Sequence, residues 1–309
     1  MRRFWLLITT LLASTAAQAA VYPAPSDNSD LIGKTITVEA READTFVALA
    51  RRHNIGYREL RLANPDVDPW LPGAGTPVTL PTRYILPDAD RRGLVLNIAE
   101  MRLYYFPPAG SQYEGKVITY PLGIGREGWD TPLGRTTITR TAADPTWTPP
   151  ESIREEHAEA GDPLPRVVPP GPDNPLGRHA LYLGFPAYLL HGTNKPAGIG
   201  LRVSHGCIRL YPEDIAALYS MVDPGTPVTI VNQPYKTGWH AGELYLEAHP
   251  PDADGKNRVD SYTPLVQSVI NATRNRPDTP IDWELAESMG TRQHGIPAAI
   301  GGTQLTARD

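Results

Sequence analysis

Cys207 is the one cysteine in the 309-residue chain, and histidines and glycines surround it. It lies in Ser204-His205-Gly206-Cys207, and fifteen residues separate it from His191, which is followed by Gly192. A thiol is a modest nucleophile near neutral pH, but a neighbouring imidazole can take its proton and lower its effective pKa as a thiolate–imidazolium pair. A glycine beside the nucleophile allows a tight turn whose N–H groups can stabilise an oxyanion. These residue types suit acyl transfer through a thioester.

Two other interpretations of these residues stay open at this point. A buried cysteine near a hydrogen-bonded histidine is common in protein cores, and the glycines would then only turn the chain. Alternatively, His191, His205 and Cys207 could bind zinc, although no fourth ligand and no closely spaced ligand pair accompanies them. The residues alone favour catalysis by a narrow margin.

The segment around these residues has the alternating and apolar patterns of a sheet. Strands are predicted at 93–99, 102–106, 116–121, 136–140, 179–183, 187–190 and 227–231, and a helix at 212–221. His191 would end an apolar strand. The glycine-rich segment 123–128 is not a phosphate loop, because no helix-forming stretch with Lys-Ser/Thr follows it.

Residues 146–178 interrupt the strand pattern. They contain eight prolines, Trp147 and a short helical stretch at about 153–160. A long insertion of this kind within a sheet domain is usually functional, often as a cover over a site. We therefore predict that it forms a lid over the catalytic residues.

The first nineteen residues have the pattern of a secretory signal peptide. Arg2 and Arg3 precede an apolar run at 4–12, and Ala17-Gln18-Ala19 fits a cleavage site. The apolar run is too short to span a bilayer, and no later segment qualifies. No cysteine lies at the cleavage site, which excludes a lipid-modified N-terminus. We expect an exported protein that begins at Ala20 with a polar linker to residue 33.

Residues 34–82 have the pattern of a small β-α-α-β unit. Strands are predicted at 35–38 and 77–81, with helices at 46–53 and 57–63 between them. The unit resembles a LysM domain, which binds N-acetylglucosamine polymers such as peptidoglycan. The resemblance rests on Asp44-Thr45, Ala63-Asn64-Pro65, Trp70-Leu71-Pro72-Gly73 and Val78-Thr79-Leu80-Pro81. A small packing domain without a ligand is the alternative.

Charge and cysteine content narrow the class of protein. The net charge is −5 and no basic block occurs, so nucleic acid is not an expected partner. Exported proteins normally pair their cysteines or have none. A lone cysteine is therefore either a small buried side chain or a reactive thiol.

The stretch from His191 to Leu210 resembles the catalytic motif of the L,D-transpeptidase family, the YkuD-type domain. That motif is a His-Gly pair, then Ser/Thr-His-Gly-Cys, an apolar residue and a polar one, here Ile208 and Arg209. Many members have Asn in place of Arg209. This difference and the short gap between the motifs resemble the Gram-negative periplasmic branch, which includes enzymes that attach Braun lipoprotein. Further matches to that branch lie at 120–125, 131–134 and 147–150, and the resemblance covers about residues 91–231.

The resemblance implies roles for the central residues. Cys207 would be the nucleophile, and His191 the general base and then the acid for the leaving group. The carbonyl of Gly192 would orient the imidazole, as the third member of a triad does. No metal and no organic cofactor is implied.

The resemblance also implies roles for the rest of the motif. N–H groups around Gly206 and Cys207 would form the oxyanion hole, and His205 would shape the loop. Ser204 and Arg209 would contact the substrate, and Arg209 could pair with a peptide carboxylate. A salt bridge that stabilises the fold is an equal alternative for Arg209.

The expected fold is mainly β. A β-sandwich-like catalytic domain at 91–231 would carry the lid, preceded by the LysM-like domain at 34–82. Residues 232–309 would form a small α/β tail of unknown role, with a strand at 243–248, helices at 262–273 and 280–289, and a frayed end.

The expected reaction takes place in the periplasm on peptidoglycan peptide stems. Cys207 would attack the meso-diaminopimelate carbonyl of a tetrapeptide stem and release D-Ala. A second diaminopimelate, or a lysine of an outer-membrane lipoprotein, would then take the acyl group. Carbapenems would inhibit such an enzyme. The alternatives are a carboxypeptidase or amidase on the same peptides, and a non-catalytic peptidoglycan-binding protein.

Overall fold

The computed structural model describes residues 20–26, 29–250 and 262–302. The predicted signal peptide at 1–19 lies outside the described residues. The helices are α1 (Phe46–Arg52), α2 (Tyr57–Ala63), α3 (Glu151–Glu159), α4 (Pro212–Tyr219), α5 (Thr263–Thr273) and α6 (Trp283–Arg292). No helix in this part of the chain is long and apolar enough to cross a membrane.

The strands outnumber the helices, as the mainly β prediction requires. They are β1 (Ala20–Pro23), β2 (Leu31–Gly33), β3 (Ile36–Glu39), β4 (Pro77–Leu80), β5 (Arg83–Ile85), β6 (Gly93–Asn97), β7 (Arg102–Phe106), β8 (Lys116–Pro121), β9 (Ile124–Gly125), β10 (Gly134–Ala143), β11 (His179–Leu183), β12 (Leu189–His191), β13 (Arg202–Ser204), β14 (Ile208–Arg209), β15 (Pro227–Val231), β16 (Tyr235–His240), β17 (Glu243–Ala248) and β18 (Ala298–Gly302).

The catalytic domain is built on one nine-stranded sheet. Its strand order is β1-β8-β7-β6-β15-β10-β11-β12-β14. Ile118 of β8 and Ile208 of β14 lie near opposite ends of this order, yet both belong to the same buried cluster. The sheet must therefore curl around a shared core. The mainly β fold class and its sheet-built catalytic domain are confirmed.

The prediction of a linker at 20–33 is wrong. β1 pairs antiparallel with β8 and forms an edge of the large sheet, and β2 pairs with β5. Pro23 is the last residue of β1, a position where a missing N–H costs no ladder bond inside the sheet. Within this segment, β1 thus extends the large sheet, whereas β2 forms a separate two-stranded sheet with β5.

The predicted β-α-α-β unit is present at 36–80. β3 pairs antiparallel with β4, and the two helices pack over them. Thr45 caps α1 by accepting a hydrogen bond from the N–H of Ala48 at 3.2 Å. The unit has its own core, formed by Phe46, Leu49, Ala50, Ile55, Leu60, Val78 and Leu80, among others. The likeness to a LysM domain stays a prediction.

Charged and polar contacts dock this unit on the catalytic domain. Arg51 binds both carboxylate oxygens of Glu213, at 2.9 and 3.0 Å. Asn54 donates to the buried carboxyl of Asp214 at 2.7 and 2.8 Å. The unit also touches the segment between the two catalytic motifs, because the N–H of Tyr57 donates to the Ile199 carbonyl at 3.3 Å.

The C-terminal region forms a small α/β unit, in which β16, β17 and β18 make a three-stranded sheet. β17 and α5 lie where the sequence predicts them, and α6 begins three residues later than predicted, since Trp283 follows the expected start at 280. The predicted fraying is wrong for residues 298–302, which form β18. The ammonium of Lys236 is buried between Glu100 and Glu247, at 2.7 and 3.0 Å, and joins this unit to the catalytic domain.

Candidate active site

The pairing of β12 with β14 brings the two motifs together. These strands are parallel, with Leu190 opposite Ile208 and His191 opposite Arg209. Leu190 and Ile208 both face the hydrophobic core. Since side chains alternate along a strand, His191, Arg209 and Cys207 share the opposite face. Local alternation and one pair of short strands therefore place the predicted nucleophile and base on the same face of neighbouring chain segments.

The imidazole of His191 is fixed in one tautomer. The ring is 3% exposed, and its Nδ1 lies 2.6 Å from the carbonyl oxygen of Gly192. A carbonyl can only accept, so Nδ1 carries the proton and Nε2 keeps its lone pair. Gly192 thus makes the contact expected from the resemblance, and Nε2 has the form that a general base needs.

Burial makes the resting pair neutral. Burial, and then the charge of Arg209, lowers the pKa of His191 to about 3. Burial also raises the pKa of the Cys207 thiol, against the N–H of Leu189 and the charge of Arg209, which favour the thiolate. The thiol contacts the Ala187 carbonyl at 3.7 Å. Both shifts favour the neutral thiol and the neutral imidazole in the free enzyme, so that deprotonation of Cys207 would accompany its attack.

The turn at residues 204–207, the nucleophile turn, is held through the carbonyl groups of Gly206 and Cys207. Its N–H groups are left available to bind a substrate oxygen. The hydroxyl of Thr131 donates to the Gly206 carbonyl at 3.0 Å. Gly206 has φ +96°, and a Cβ there would come within 2.9 Å of the Tyr188 ring, so only glycine fits. Within the described chain, the N–H groups of Gly206 and Cys207 donate no hydrogen bond. They are candidates for the oxyanion hole.

Ser204 is placed differently from our expectation. The sequence suggested a substrate contact, but the side chain is 1% exposed. Its hydroxyl donates to the carbonyl of Cys207 at 2.5 Å. This position gives Ser204 a part in shaping the nucleophile turn, where a substrate could not reach it.

Arg209 is half-buried on the face that carries Cys207 and His191. Its Nε has no hydrogen-bond partner, and no carboxylate of the described residues forms an ion pair with it. Burial lowers the pKa of the guanidinium, which shows that it has lost solvation without a matching partner. The structure thus offers no salt bridge for the alternative role and leaves this cation available to an anion.

His205 points away from the proton-transfer chemistry. Its Nε2 lies 3.1 Å from Glu156 Oε2 and 3.2 Å from Arg126 Nη2, and its ring packs edge-on against Trp129. These contacts hold His205 against the insertion and Trp129, and its role in shaping the loop stays a prediction. They also tie the loop to α3, which belongs to the insertion.

The insertion reaches His191 directly. Carbonyl groups of Pro175 and Leu176 act on the His191 ring and favour its protonated form. Gly177, with φ +66°, crosses over Gly192 so closely that a Cβ on Gly177 would lie 2.9 Å from the Thr193 nitrogen. The end of the insertion therefore lies beside His191 and Gly192, and its action as a lid stays a prediction.

The zinc interpretation finds no support in the geometry. Within the described residues, one group of His, Cys, Asp or Glu side chains is close enough to hold an ion: Glu100, Glu247 and His249. The ammonium of Lys236 already lies between those carboxylates. The residues of the zinc hypothesis are not brought together as ligands.

Comparison with known proteins decides the family. Residues 91–230 match the model of the YkuD L,D-transpeptidase catalytic domain. The chain is 45% identical over 294 residues to the probable L,D-transpeptidase YbiS of Escherichia coli (strain K12), covering 93% of this chain and 94% of that protein. It is 39% identical over 314 residues to the probable L,D-transpeptidase YcfS of the same strain, covering 98% and 96%. The chain belongs to the L,D-transpeptidase family.

Several residues of this L,D-transpeptidase site have no signal in the sequence. Tyr188 and Glu156 touch the nucleophile turn from two separate segments, and Thr131, which falls in the family match at 131–134, touches it from a third. Asn174 organises the insertion through its amide, which donates to the Pro145 carbonyl at 2.8 Å and accepts from the N–H of Leu176. Most of these contacts join residues that are far apart in the sequence, so no local pattern predicts them. An asparagine within a proline-rich segment, such as Asn174, is the kind of residue that can indicate a side chain organising a loop.

The neutral resting pair of the L,D-transpeptidase predicts a slow and strongly pH-dependent thiol. Because burial raises the pKa of Cys207 above its ordinary value of 9.0, iodoacetamide should alkylate the free enzyme faster as the pH rises, with a midpoint above 9.0. Mass spectrometry of the protein over a pH series measures the rate. A midpoint near 7 or below would instead indicate a preformed thiolate–imidazolium pair.

Proposed function

We propose that this L,D-transpeptidase acts in the periplasm on peptidoglycan tetrapeptide stems. His191 Nε2 takes the proton of Cys207 as Sγ attacks the carbonyl carbon of meso-diaminopimelate. The oxyanion forms beside the N–H groups of Gly206 and Cys207. His191 then protonates the departing nitrogen, the C–N bond breaks, and D-Ala leaves the thioester. The observation that carries this proposal is the 2.6 Å bond that fixes His191 as a base.

The second half of the reaction repeats these steps with an amine. The amine attacks the thioester carbon, the C–S bond breaks, and the proton returns to Sγ through His191. A diaminopimelate side chain would give a cross-link, and a lysine of an outer-membrane lipoprotein would give a protein anchor. Water in place of the amine would make the enzyme a carboxypeptidase. No step needs a metal or an organic cofactor.

The test follows product formation with each acceptor separately. Mature protein is incubated with purified disaccharide-tetrapeptide alone, with a second tetrapeptide, or with a lysine-ended peptide. We expect released D-Ala and a joined product with one of the amines. Disaccharide-tripeptide in all three reactions would indicate a carboxypeptidase. Absence of both D-Ala and product from folded protein would favour the non-catalytic binding role.

Arg209 is expected to recognise a carboxylate of the stem. Its guanidinium is half-buried, without an ion-pair partner among the described residues, and on the face of the nucleophile. Arg209→Gln should raise KM for free-acid stems about tenfold or more, the scale of a charge-assisted hydrogen bond. Stems whose diaminopimelate carboxylate is amidated should lose much less. An equal loss with both stems, measured by D-Ala release, would instead indicate a purely structural Arg209.

The N-terminal unit carries a surface suited to glycan. Trp70 is 61% exposed and Leu71 76% exposed, and the Trp70 ring lies 6.4 Å from that of Tyr57. Exposed apolar side chains grouped in this way mark binding sites. We expect Trp70→Ala to weaken sedimentation with purified sacculi. Trp283→Ala, which changes an exposed tryptophan of the C-terminal unit, is the matched control. Equal binding by both variants would contradict the LysM-like role.

A further inference from the structure

One carboxylate joins the insertion to the nucleophile turn. Glu156 lies on α3, and its Oε2 receives hydrogen bonds from Arg126 Nη2 at 2.5 Å and His205 Nε2 at 3.1 Å. His205 immediately precedes Gly206 and Cys207. Any movement of α3 that breaks these bonds therefore also releases a side chain of the nucleophile turn.

The rest of α3 is weakly held. Ile153 is the buried residue of the helix. In the described structure, the other ion pairs of α3 are local, between Arg154 and Glu151 and between His157 and Asp162. Glu156 thus makes the ion pairs that connect α3 to the remainder of the domain.

The base of the insertion is fixed more firmly than α3. Trp147 and Val168 exchange two backbone hydrogen bonds, of 2.9 and 2.8 Å. The buried amide of Asn174 closes the other side of the same base. With a fixed base and a helix whose ion pairs to the rest of the domain all run through Glu156, the insertion can open as a lid when those pairs break.

The contact needs the negative charge of Glu156. Arg126 can only donate, and its Nη2 lies 3.2 Å from the same His205 nitrogen that faces Glu156. Without a carboxylate between them, two donors would face each other whenever Nε2 carries a proton. The hydrogen bonds from Arg126 and then His205 lower the pKa of Glu156, so the carboxylate is ionised at neutral pH.

We propose that Glu156 is the positioning residue that latches the lid over the thioester and thereby favours transfer to an amine over hydrolysis. The proposal rests on the proposed function. In hydrolysis, water adds its oxygen to the acyl carbon, the C–S bond breaks, and a proton returns to Sγ. A closed lid limits this reaction by excluding water until an acceptor enters.

The first test measures what fraction of the acyl group is transferred to an amine and what fraction to water. Glu156→Gln keeps the size of the side chain and removes its charge, and Glu155→Gln is the matched control, because Glu155 is an exposed residue of the same helix. With tetrapeptide and a fixed amine concentration, Glu156→Gln should raise the ratio of tripeptide to joined product several-fold. The control should match the wild type. An unchanged ratio in Glu156→Gln would overturn the proposal.

A double-mutant cycle separates the latch from a general loss of structure. Arg126→Gln should raise the same ratio, and Arg126→Gln with Glu156→Gln should add little to either single change, because both remove one contact. Fully additive effects would show that the two residues act independently and would contradict the latch.

Hydrogen exchange tests the movement without any substrate. Amides of residues 151–159 should exchange faster in Glu156→Gln than in the wild type or Glu155→Gln, while the strands of the large sheet stay unchanged. Unchanged exchange would overturn the proposal even if the product ratio changed. If the wild type releases no D-Ala, the proposed function has failed, and exchange alone then decides whether Glu156 holds the lid.

Discussion

Replacing Cys207 with alanine should remove the acyl-enzyme and reduce D-Ala release by about 10⁴-fold or more, since loss of a nucleophile removes the covalent path entirely. In wild-type protein incubated with tetrapeptide, intact-mass spectrometry should show an adduct of the disaccharide-tripeptide acyl group. The adduct should be absent from Cys207→Ala. No other thiol of the chain can replace it, because Cys207 is the one cysteine in the sequence.

The fold should tolerate this substitution. The thiol has one weak hydrogen bond, to the Ala187 carbonyl at 3.7 Å, and the turn is held instead by Thr131 and Ser204. Thermal unfolding of Cys207→Ala should therefore stay close to that of the wild type. Retained D-Ala release by a folded Cys207→Ala protein would contradict the thioester mechanism. Cys207→Ser serves as a second control, because it keeps the shape but offers a much poorer nucleophile.

Most of the catalytic sheet could be predicted from the sequence because its strands follow local patterns. Gly93–Asn97 and Arg102–Phe106 are apolar runs separated by a short turn, and they form the expected hairpin. Lys116–Pro121, His179–Leu183 and Pro227–Val231 also lie within one or two residues of their predicted bounds. In each of them the hydrophobic pattern reports burial directly.

The strands that were missed have no such pattern. β16 contains Lys236, which is buried only because Glu100 and Glu247 surround it. β18 contains glycines packed against other segments, and a Cβ on Gly301 would meet Ile281 at 2.7 Å. Both strands depend on partners far away in the sequence. Patterns of neighbouring residues do not predict such distant partners. For the same reason, the residues of β1 were predicted to form a linker.

The residues of the site also fall into those that the sequence could predict and those that depend on distant contacts. The family resemblance singled out Cys207, His191 and Gly192, and the parallel pairing of β12 with β14 brings the two motifs that contain them together. Arg126 and Glu156 could not be predicted, because 79 and 49 residues separate them from His205. The protonation state was also not predictable from the sequence. Motif chemistry suggested an ion pair, whereas burial shifts the pKa of His191 and the pKa of Cys207 toward their neutral forms.

Replacing His191 with asparagine should slow acylation of Cys207 by about 10²- to 10⁴-fold, the usual contribution of a positioned general base. Asparagine can still donate a hydrogen bond to the Gly192 carbonyl, so the variant removes the base and preserves the contact that orients it. The burst of D-Ala measures the acylation rate. In the wild type, because the pKa of His191 is lowered to about 3, the base remains competent from neutral pH down to weakly acidic pH and is lost only as the pH approaches 3.

His205→Asn provides the control that separates proton transfer from loop shape. His205 contacts Glu156 and Arg126, so its loss should disturb the lid and the product ratio while leaving acylation within about tenfold of the wild type, less than the loss of a base. If His205→Asn slowed acylation as much as His191→Asn, the base would be misassigned. If His191→Asn were acylated almost as fast as the wild type, His191 would not be the base that takes the proton of Cys207. Deprotonation of Cys207 by solvent would then be the remaining explanation. The two variants together therefore locate the proton acceptor, which we propose is Nε2 of His191 because His191 shares a face with Cys207 and its Nδ1 is bound to the Gly192 carbonyl.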